Sequence, residues 1–286
     1  MKIDKIVFCC SEYYAPFWNI QSQIWKTKFG VDPVCLLFAN RMNCSLSEKY
    51  GQVIECAFDR SLPDIIQLQF KKFFHPTTEP DKTWMIGDID QIPLQTEHFL
   101  NNLEAVRDDA YCHFNYTLCG QMRNLPGEVY LKRGAYVNGG FDLPGHYHCA
   151  KGYHYQHLYF KNRPFREVVA EIVASKRYGM VQEDAQRNLT KQIHGSFWVA
   201  EEMYTSEHLW YGFKKGTVPE LYLKEYHIFD QKIDRVGKMG GQWSGTDYVY
   251  DAEKLKNRGY VDIHCMRPYH IQEKPMMKIL EIAGMV

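Results

Sequence analysis

The stretch Trp84-Met85-Ile86-Gly87-Asp88-Ile89-Asp90-Gln91-Ile92-Pro93-Leu94 is a hydrophobic run that ends on two carboxylates one residue apart. In an extended strand successive side chains point to opposite faces, so this spacing predicts Asp88 and Asp90 together on one face at the end of a buried strand. Neighbouring carboxylates repel and raise each other's pKa unless a cation neutralises them. Sites rich in carboxylate oxygen suit magnesium or manganese, with a substrate phosphate completing the coordination. The competing use of these residues is an ordinary turn, since Asp favours turns and Pro93 follows. The context supports the cation: an apolar strand leads in, Gly87 permits close backbone approach, and Pro93 interrupts a continuing ladder.

Upstream, Ile6-Val7-Phe8-Cys9-Cys10 reads as a buried first strand and Val34-Cys35-Leu36-Leu37-Phe38 as a second. Between them Phe17, Ile20, Ile24 and Trp25 recur at helical spacing, and Gly30 stops the helix. Strand, helix, strand implies a parallel sheet with a right-handed crossover, and ligands of such sheets bind beyond the carboxyl ends of the strands. That rule puts Ser11, Glu12, Tyr13 and Tyr14 at the mouth of the site. Gln52 to Phe58 is a third short strand, and Pro63 to Phe74 a helix with Ile66, Phe70, Phe73 and Phe74 as its apolar stripe. Gln67 and Lys71 lie four apart on one face of that helix, either reaching a ligand or forming a solvated face. The expected fold class is α/β: a mixed, mainly parallel central sheet flanked by helices in a single domain over 1–286.

Composition narrows the function. Thirty-four basic and 34 acidic residues leave a net charge of +0, and no dense basic run is present to track a phosphate backbone, so nucleic acid is not the expected partner. Aromatics reach 15%, enough to supply both core and surfaces that stack on bases or sugar faces. Nine cysteines without a regular framework predict free thiols in a reducing compartment. The first residues lack a secretory h-region and no apolar run is long enough to span a bilayer, so the expected location is cytoplasmic, with no membrane span.

At Ile86-Gly87-Asp88-Ile89-Asp90-Gln91-Ile92-Pro93-Leu94 the sequence resembles the Asp-x-Asp motif of nucleotide-sugar-dependent glycosyltransferases with the A-type, Rossmann-like fold, including virus-encoded members. The resemblance implies a divalent metal, Mn2+ or Mg2+, held at Asp88 and Asp90 against the diphosphate of a nucleoside-diphosphate sugar, UDP-sugar favoured. It implies a nucleotide-sugar-binding half over 1–110 and an acceptor-binding half over 111–286. It also implies that the loop after the first strand receives the nucleobase, where Tyr13 and Tyr14 either stack on it or pack together.

Downstream, Trp198-Val199-Ala200-Glu201-Glu202 resembles the acidic motif of inverting members of this family, in which the second acid deprotonates the acceptor hydroxyl. Carried over, Glu202 is the base and Glu201 its partner on the acceptor, although glycines are common where Val199 and Ala200 stand, so Asp184 and Glu183 remain substitutes. An acidic first turn of a helix running through Leu209 is the plain alternative. The family often supplies a third metal ligand from a C-terminal His, and His264 fits better than His227 or His270. Arg267 is a planar charged donor suited to the diphosphate.

Other features stay open. His146, His148, His154 and His157 fit neither an H-E-x-x-H helix nor a Cys/His zinc knuckle, so a sugar pocket or surface histidines are preferred to zinc. Lys238 to Gly245 is a glycine-rich loop suited to closing over a ligand. Phe165 to Arg177 and Lys274 to Met285 read as helices, and Leu221 to Phe229 as either helix or strand. The function expected is metal-dependent sugar transfer to a glycan or glycoprotein hydroxyl, with inversion; the alternatives are a retaining enzyme of the same fold, a metal-dependent nucleotidyltransferase or phosphohydrolase, and a non-catalytic carbohydrate-binding protein.

Overall fold

A computed structural model describes residues 1–118, 141–142, 146–175, 200–218, 220–225, 231–233, 248–265 and 268–286. Four parallel strands carry its first half: β1 Lys5–Ser11, β2 Asp32–Phe38, β3 Gln52–Glu55 and β4 Thr83–Ile86. Val7 of β1 pairs with Val34 on one side and Ile86 on the other. Alternation sends Ile6, Phe8 and Cys10 into one core, with Leu37 and Met85, and Val7 into a second, with Leu36, Trp84 and Ile86. With both faces covered, these strands read as continuous apolar runs rather than alternating ones.

Helix α1, Trp18–Ile24, continues into a π-helical turn, Trp25–Phe29, and stops where Gly30 takes a left-handed φ of 67°. Helix α2, Asp64–Phe74, buries Ile66, Phe70 and Phe73 against the sheet, and each fully buried side chain of this size contributes about 1.5–3 kcal/mol. Helix α3 is Thr96–Glu104. The sheet order is β3-β2-β1-β4-β8-β6-β7, with β9 also on β6, where β6 is Tyr111–Leu118, β7 Phe141–Asp142, β8 His148–Lys151 and β9 Leu221–Glu225. Strand β8 runs antiparallel to both β4 and β6, whereas β9 is parallel to β6, so the sheet is mixed. One sheet thus joins strands from before and after residue 110.

After β8 the chain forms the short helix α4, Gly152–Tyr155, a second π-helical turn, Gln156–Phe160, and then α5, Phe165–Ser175. Helix α6, Ala200–Lys214, follows, then the short α7, Ala252–Lys256. A second, three-stranded sheet has the order β10-β11-β5, from β10 Lys232–Ile233, β11 Asp262–His264 and β5 Gln91–Pro93. The last helix, α8, is Tyr269–Ile282. Among the described residues no helix is long and apolar enough to cross a membrane.

Three expectations are corrected. The strand carrying the acid pair ends at Ile86, so Asp88 and Asp90 sit on a turn closed by Gln91 N–H to the Asp88 carbonyl (3.1 Å) and not on a strand face. Pro93 does not end pairing; it closes β5, an edge strand, where a residue without N–H is tolerated. Helix α8 begins five residues before Lys274 and contains Pro275, because burial of Gln272, Met276, Ile279 and Leu280 holds the turns on either side of it. Of the ambiguous segment from Leu221 to Phe229, the described part, Leu221–Glu225, is a strand. The loop from Lys238 to Gly245 lies outside the described residues, as do Trp198, Asp184, Glu183, His227 and Arg267.

Candidate functional site

In the order β3-β2-β1-β4, the chain leaves β1 to one side for β2 and β3 and returns on the other for β4. This is a topological switch point, where a crevice opens beyond the carboxyl ends of the strands. A cavity of about 310 Å³ lies there, lined by Cys9, Cys10 and Ser11 from the end of β1, Tyr14, one face of α2, the turn from Asp88 to Gln91, His146, Glu201, Glu202 and His264.

Each element aims its side chain for a local reason. Gly87 N–H makes a ladder bond to the Val7 carbonyl (2.9 Å), which fixes where the turn begins. A Cβ on Gly87 would lie 2.3 Å from the Phe8 ring, so only glycine lets the turn sit this close to β1. Beneath it, buried Gln21 of α1 donates from Nε2 to the carbonyls of Gln91 (2.6 Å) and Ile89 (3.2 Å), anchoring the turn to the helix. Tyr147, buried and left-handed at φ 59°, bonds through its N–H to the Ile86 carbonyl (2.6 Å) and thereby delivers His146. Such strain in an aromatic residue commonly marks a functional site. Strand β11 pairs antiparallel with β5, His264 opposite Gln91, and brings a residue 174 positions distant to the acid pair.

The two acids have separate partners. Asp88 is ion-paired with Lys72 of α2, whose side chain is almost fully buried, and its other oxygen lies 3.4 Å from His146 Nδ1. Burial alone would push the Asp88 carboxyl up, but the Lys72 ammonium, with help from His146, outweighs it and leaves the pKa well below the usual range. Burial likewise pulls Lys72 down, and Asp88, followed by the charge of Glu201, outweighs it and leaves Lys72 raised. Burial lowers the pKa of His146, with the hydrogen bond to Asp88 and its charge opposing that shift. Asp90, 8% exposed, instead has an oxygen 3.6 Å from His264 Nε2.

Asp90 and His264 offer one carboxylate oxygen and one imidazole nitrogen on the same wall, a donor set that manganese accepts. Among the described residues no three His, Cys, Asp or Glu side chains converge as a metal group. One carboxylate with one imidazole would fill only part of a coordination shell, as for a metal that arrives with a substrate phosphate, and would not make a closed structural site.

Of the residues expected from sequence, Ser11, Tyr14, Asp88, Asp90, Glu201, Glu202 and His264 line one cavity. Tyr13 does not; it is 54% exposed and packs edge-on against Tyr14. Glu12 is exposed and outside the lining. Gln67 is buried and occupied with the Asp59 backbone and the Leu62 carbonyl, and Lys71 lies over the rings of Phe74 and Phe165. The face of α2 turned to the cavity is Ile65, Leu68, Gln69 and Lys72, one residue of helical rotation away. The histidines are dispersed: His146 lines the cavity, His148 is buried on Tyr111 Oη (2.9 Å), His154 bonds the Asp109 carbonyl (2.7 Å), and His157 is exposed. The eight cysteines among the described residues are free.

Sequence reasoning passed over Lys72, His146 as a partner of Asp88, and Gln21. The only signal for Lys72 was its place at the end of the Ile65, Leu68, Gln69 series. For Gln21 it was an amide within the apolar stripe of α1.

No family model and no curated protein matches this chain. Solved structures similar to it include the bifunctional glycosyltransferase WbbM (10% identity, 98% of this chain and 52% of that one, TM-score 0.45). Also similar are GlyE of Streptococcus pneumoniae TIGR4 (11%, 80% and 46%, TM-score 0.37) and the galactosyltransferase LgtC with donor and acceptor sugar analogues (9%, 98% and 95%, TM-score 0.45). The chain spans about half the length of WbbM and of GlyE.

Proposed function

We propose that the protein is a metal-dependent glycosyltransferase that takes a nucleoside-diphosphate sugar, UDP-sugar by preference, at the switch-point cavity. The observation that carries this reading is the convergence of Asp90 with His264, Lys72 with Asp88, and Glu201 with Glu202 around one crevice. That set can bind a diphosphate, hold the sugar and remove a proton.

Asp90 and His264 are the protein's ligands for the divalent cation. When bound, that cation supplies neutralisation of the nucleoside-diphosphate leaving group. Ser11 and Tyr14, at the end of β1, hold the nucleotide. Asp88, kept ionised by Lys72, presents acceptor oxygens to donor hydroxyls, and the Lys72 ammonium sits beside it. Glu202, half-buried in the first turn of α6, removes the proton of the attacking acceptor hydroxyl, giving inversion. Glu201, more deeply buried and close enough to Lys72 to raise its pKa, fixes the acidic turn against α2.

Thermal denaturation with nucleoside diphosphates and manganese tests this. A ligand at about 100 times its Kd stabilises the native state by about 2.7 kcal/mol, which for a chain of this size raises Tm by about 4–5 °C. UDP with manganese is expected to give such a shift, lost in Asp90→Asn and His264→Ala, together with slow hydrolysis of a UDP-sugar to UDP. Absence of any shift across the nucleoside diphosphates, or release of inorganic phosphate in place of UDP, overturns the reading.

A further inference from the structure

A second cavity, also of about 310 Å³, lies between α5 and α6, away from the acid pair. Both helices present one face to it: Val168, Glu171, Ile172 and Ser175 from α5, and Tyr204, Glu207, His208 and Tyr211 from α6. Each set is spaced i, i+3, i+4, i+7, the spacing at which an apolar seam would be expected between packed helices. Here Val168, Ile172 and the Tyr204 ring keep that character, and charged or polar side chains take most of the other positions.

The walls alternate in charge. Lys161 and Arg163 stand with Glu171 and Glu207, and Arg163 is held by Glu171 at 2.5 Å. Arg163 Nε is buried without a hydrogen-bond partner among the described residues. The turn that delivers these two cations is strained, since Lys161 and Asn162 are consecutive left-handed residues (φ 49° and 58°) at the end of the π-helical turn. Strain and π-helical turns both concentrate at binding sites. On the facing side the Tyr204 hydroxyl is tied to the Tyr159 carbonyl (2.5 Å), and the His208 ring stacks on Tyr204 at 3.9 Å. His208 Nδ1 donates to the Tyr204 carbonyl (2.9 Å), which fixes the ring on the cavity wall. Tyr211, 39% exposed, forms an aromatic edge at the rim.

Balanced charge disfavours a phosphate or a cation. Interleaved donors and acceptors beside an exposed aromatic face suit a ligand whose every polar atom is both donor and acceptor, and whose ring faces are apolar. That is a neutral sugar. Helix α6 connects the two cavities: Glu202 lines the first, and His208 and Tyr211 line the second about 9 and 14 Å further along its axis. We infer that the cavity between α5 and α6 is a carbohydrate-binding subsite, occupied by a non-reacting part of the glycan acceptor. Its role in catalysis rests on the glycosyl-transfer reading of the first cavity, but its binding of sugar does not.

The test is calorimetric titration of the full chain, without metal or nucleotide, with malto-, cello-, chito- and galacto-tetraose as probes. Saturable binding of at least one is expected, weakened about tenfold or more by Tyr211→Ala and by His208→Ala and unchanged in Asp90→Asn. Circular dichroism of each variant confirms that it is folded, and Tyr211 is exposed enough that its truncation leaves the fold intact. No binding by any tetraose, equal binding by wild type and Tyr211→Ala, or displacement of the sugar by UDP with manganese overturns the inference. Failure of the glycosyl-transfer reading would appear separately, as loss of UDP-sugar hydrolysis with tetraose binding retained.

Discussion

Lys72 and Asp88 show how single residues set this site. Their pairing answers the repulsion that the Asp-x-Asp spacing creates: an internal ammonium neutralises one acid and leaves the other, Asp90, facing His264. Removing one member of a buried pair strands the other, which costs about 3–5 kcal/mol at full burial and less here, because the Asp88 side chain is 31% exposed. Lys72→Met is therefore expected to lower stability at pH 7 by about 1–3 kcal/mol in urea unfolding. The sign with pH follows from the two shifts. The depressed Asp88 contributes stability above its unfolded pKa near 4 and loses it as pH falls below that, and the raised Lys72 contributes below about 10.4 and loses it as pH rises beyond. The wild-type advantage over Lys72→Met should hold between about pH 4 and pH 10 and shrink outside that window. Gln21 is the other decisive residue. Gln21→Leu leaves buried carbonyls of the acid-bearing turn unpaired, with an expected loss of about 1–3 kcal/mol and weaker UDP–manganese binding by the same thermal-shift measurement.

Among the elements, α2 and the turn after β4 carry most of the site. Helix α2 serves two surfaces at once: Ile66, Phe70 and Phe73 enter the core while Ile65, Gln69 and Lys72 face the cavity. Its apolar stripe was legible in sequence, and the cavity face was misjudged by one residue, because 100° per residue leaves periodicity silent about which polar flank meets a neighbour. The turn depends on Gly87. Gly87→Ala must displace the Phe8 ring, itself packed edge-on against Trp18 at 6.4 Å, and is expected to cost about 1–3 kcal/mol in chemical unfolding.

For the whole molecule, the decisive event is the meeting of β5 with β11. These short strands draw the chain after residue 260 onto the Asp-x-Asp turn, with Cys265 N–H on the Asp90 carbonyl at 2.7 Å and Ile263 fully buried. Ile263→Ala should cost about 2–5 kcal/mol and also weaken UDP–manganese binding, because His264 loses its register. Ile3→Ala, equally buried but before the opposite end of β1, should cost a comparable amount with binding unchanged. Calorimetric titration of both variants beside their unfolding curves separates the two effects.

Sequence alone determined the local grammar of this protein. The apolar runs of β1, β2 and β4 and the periodic stripe of α2 follow from side-chain alternation and helical pitch, properties that neighbouring residues settle among themselves. The Asp-x-Asp pair was legible from its spacing, and Glu201, Glu202 and His264 were picked out through the family resemblance; all line one cavity. Only tertiary structure decided which groups meet: that Lys72 pairs with Asp88, that Gln21 holds the turn from below, and that His264 faces Asp90. Those contacts join residues 16 to 174 positions apart, and their energy comes from burial and register across several elements. No window of sequence contains both partners together with the surface that desolvates them, so the acid pair announced a need for positive charge and the fold chose its source.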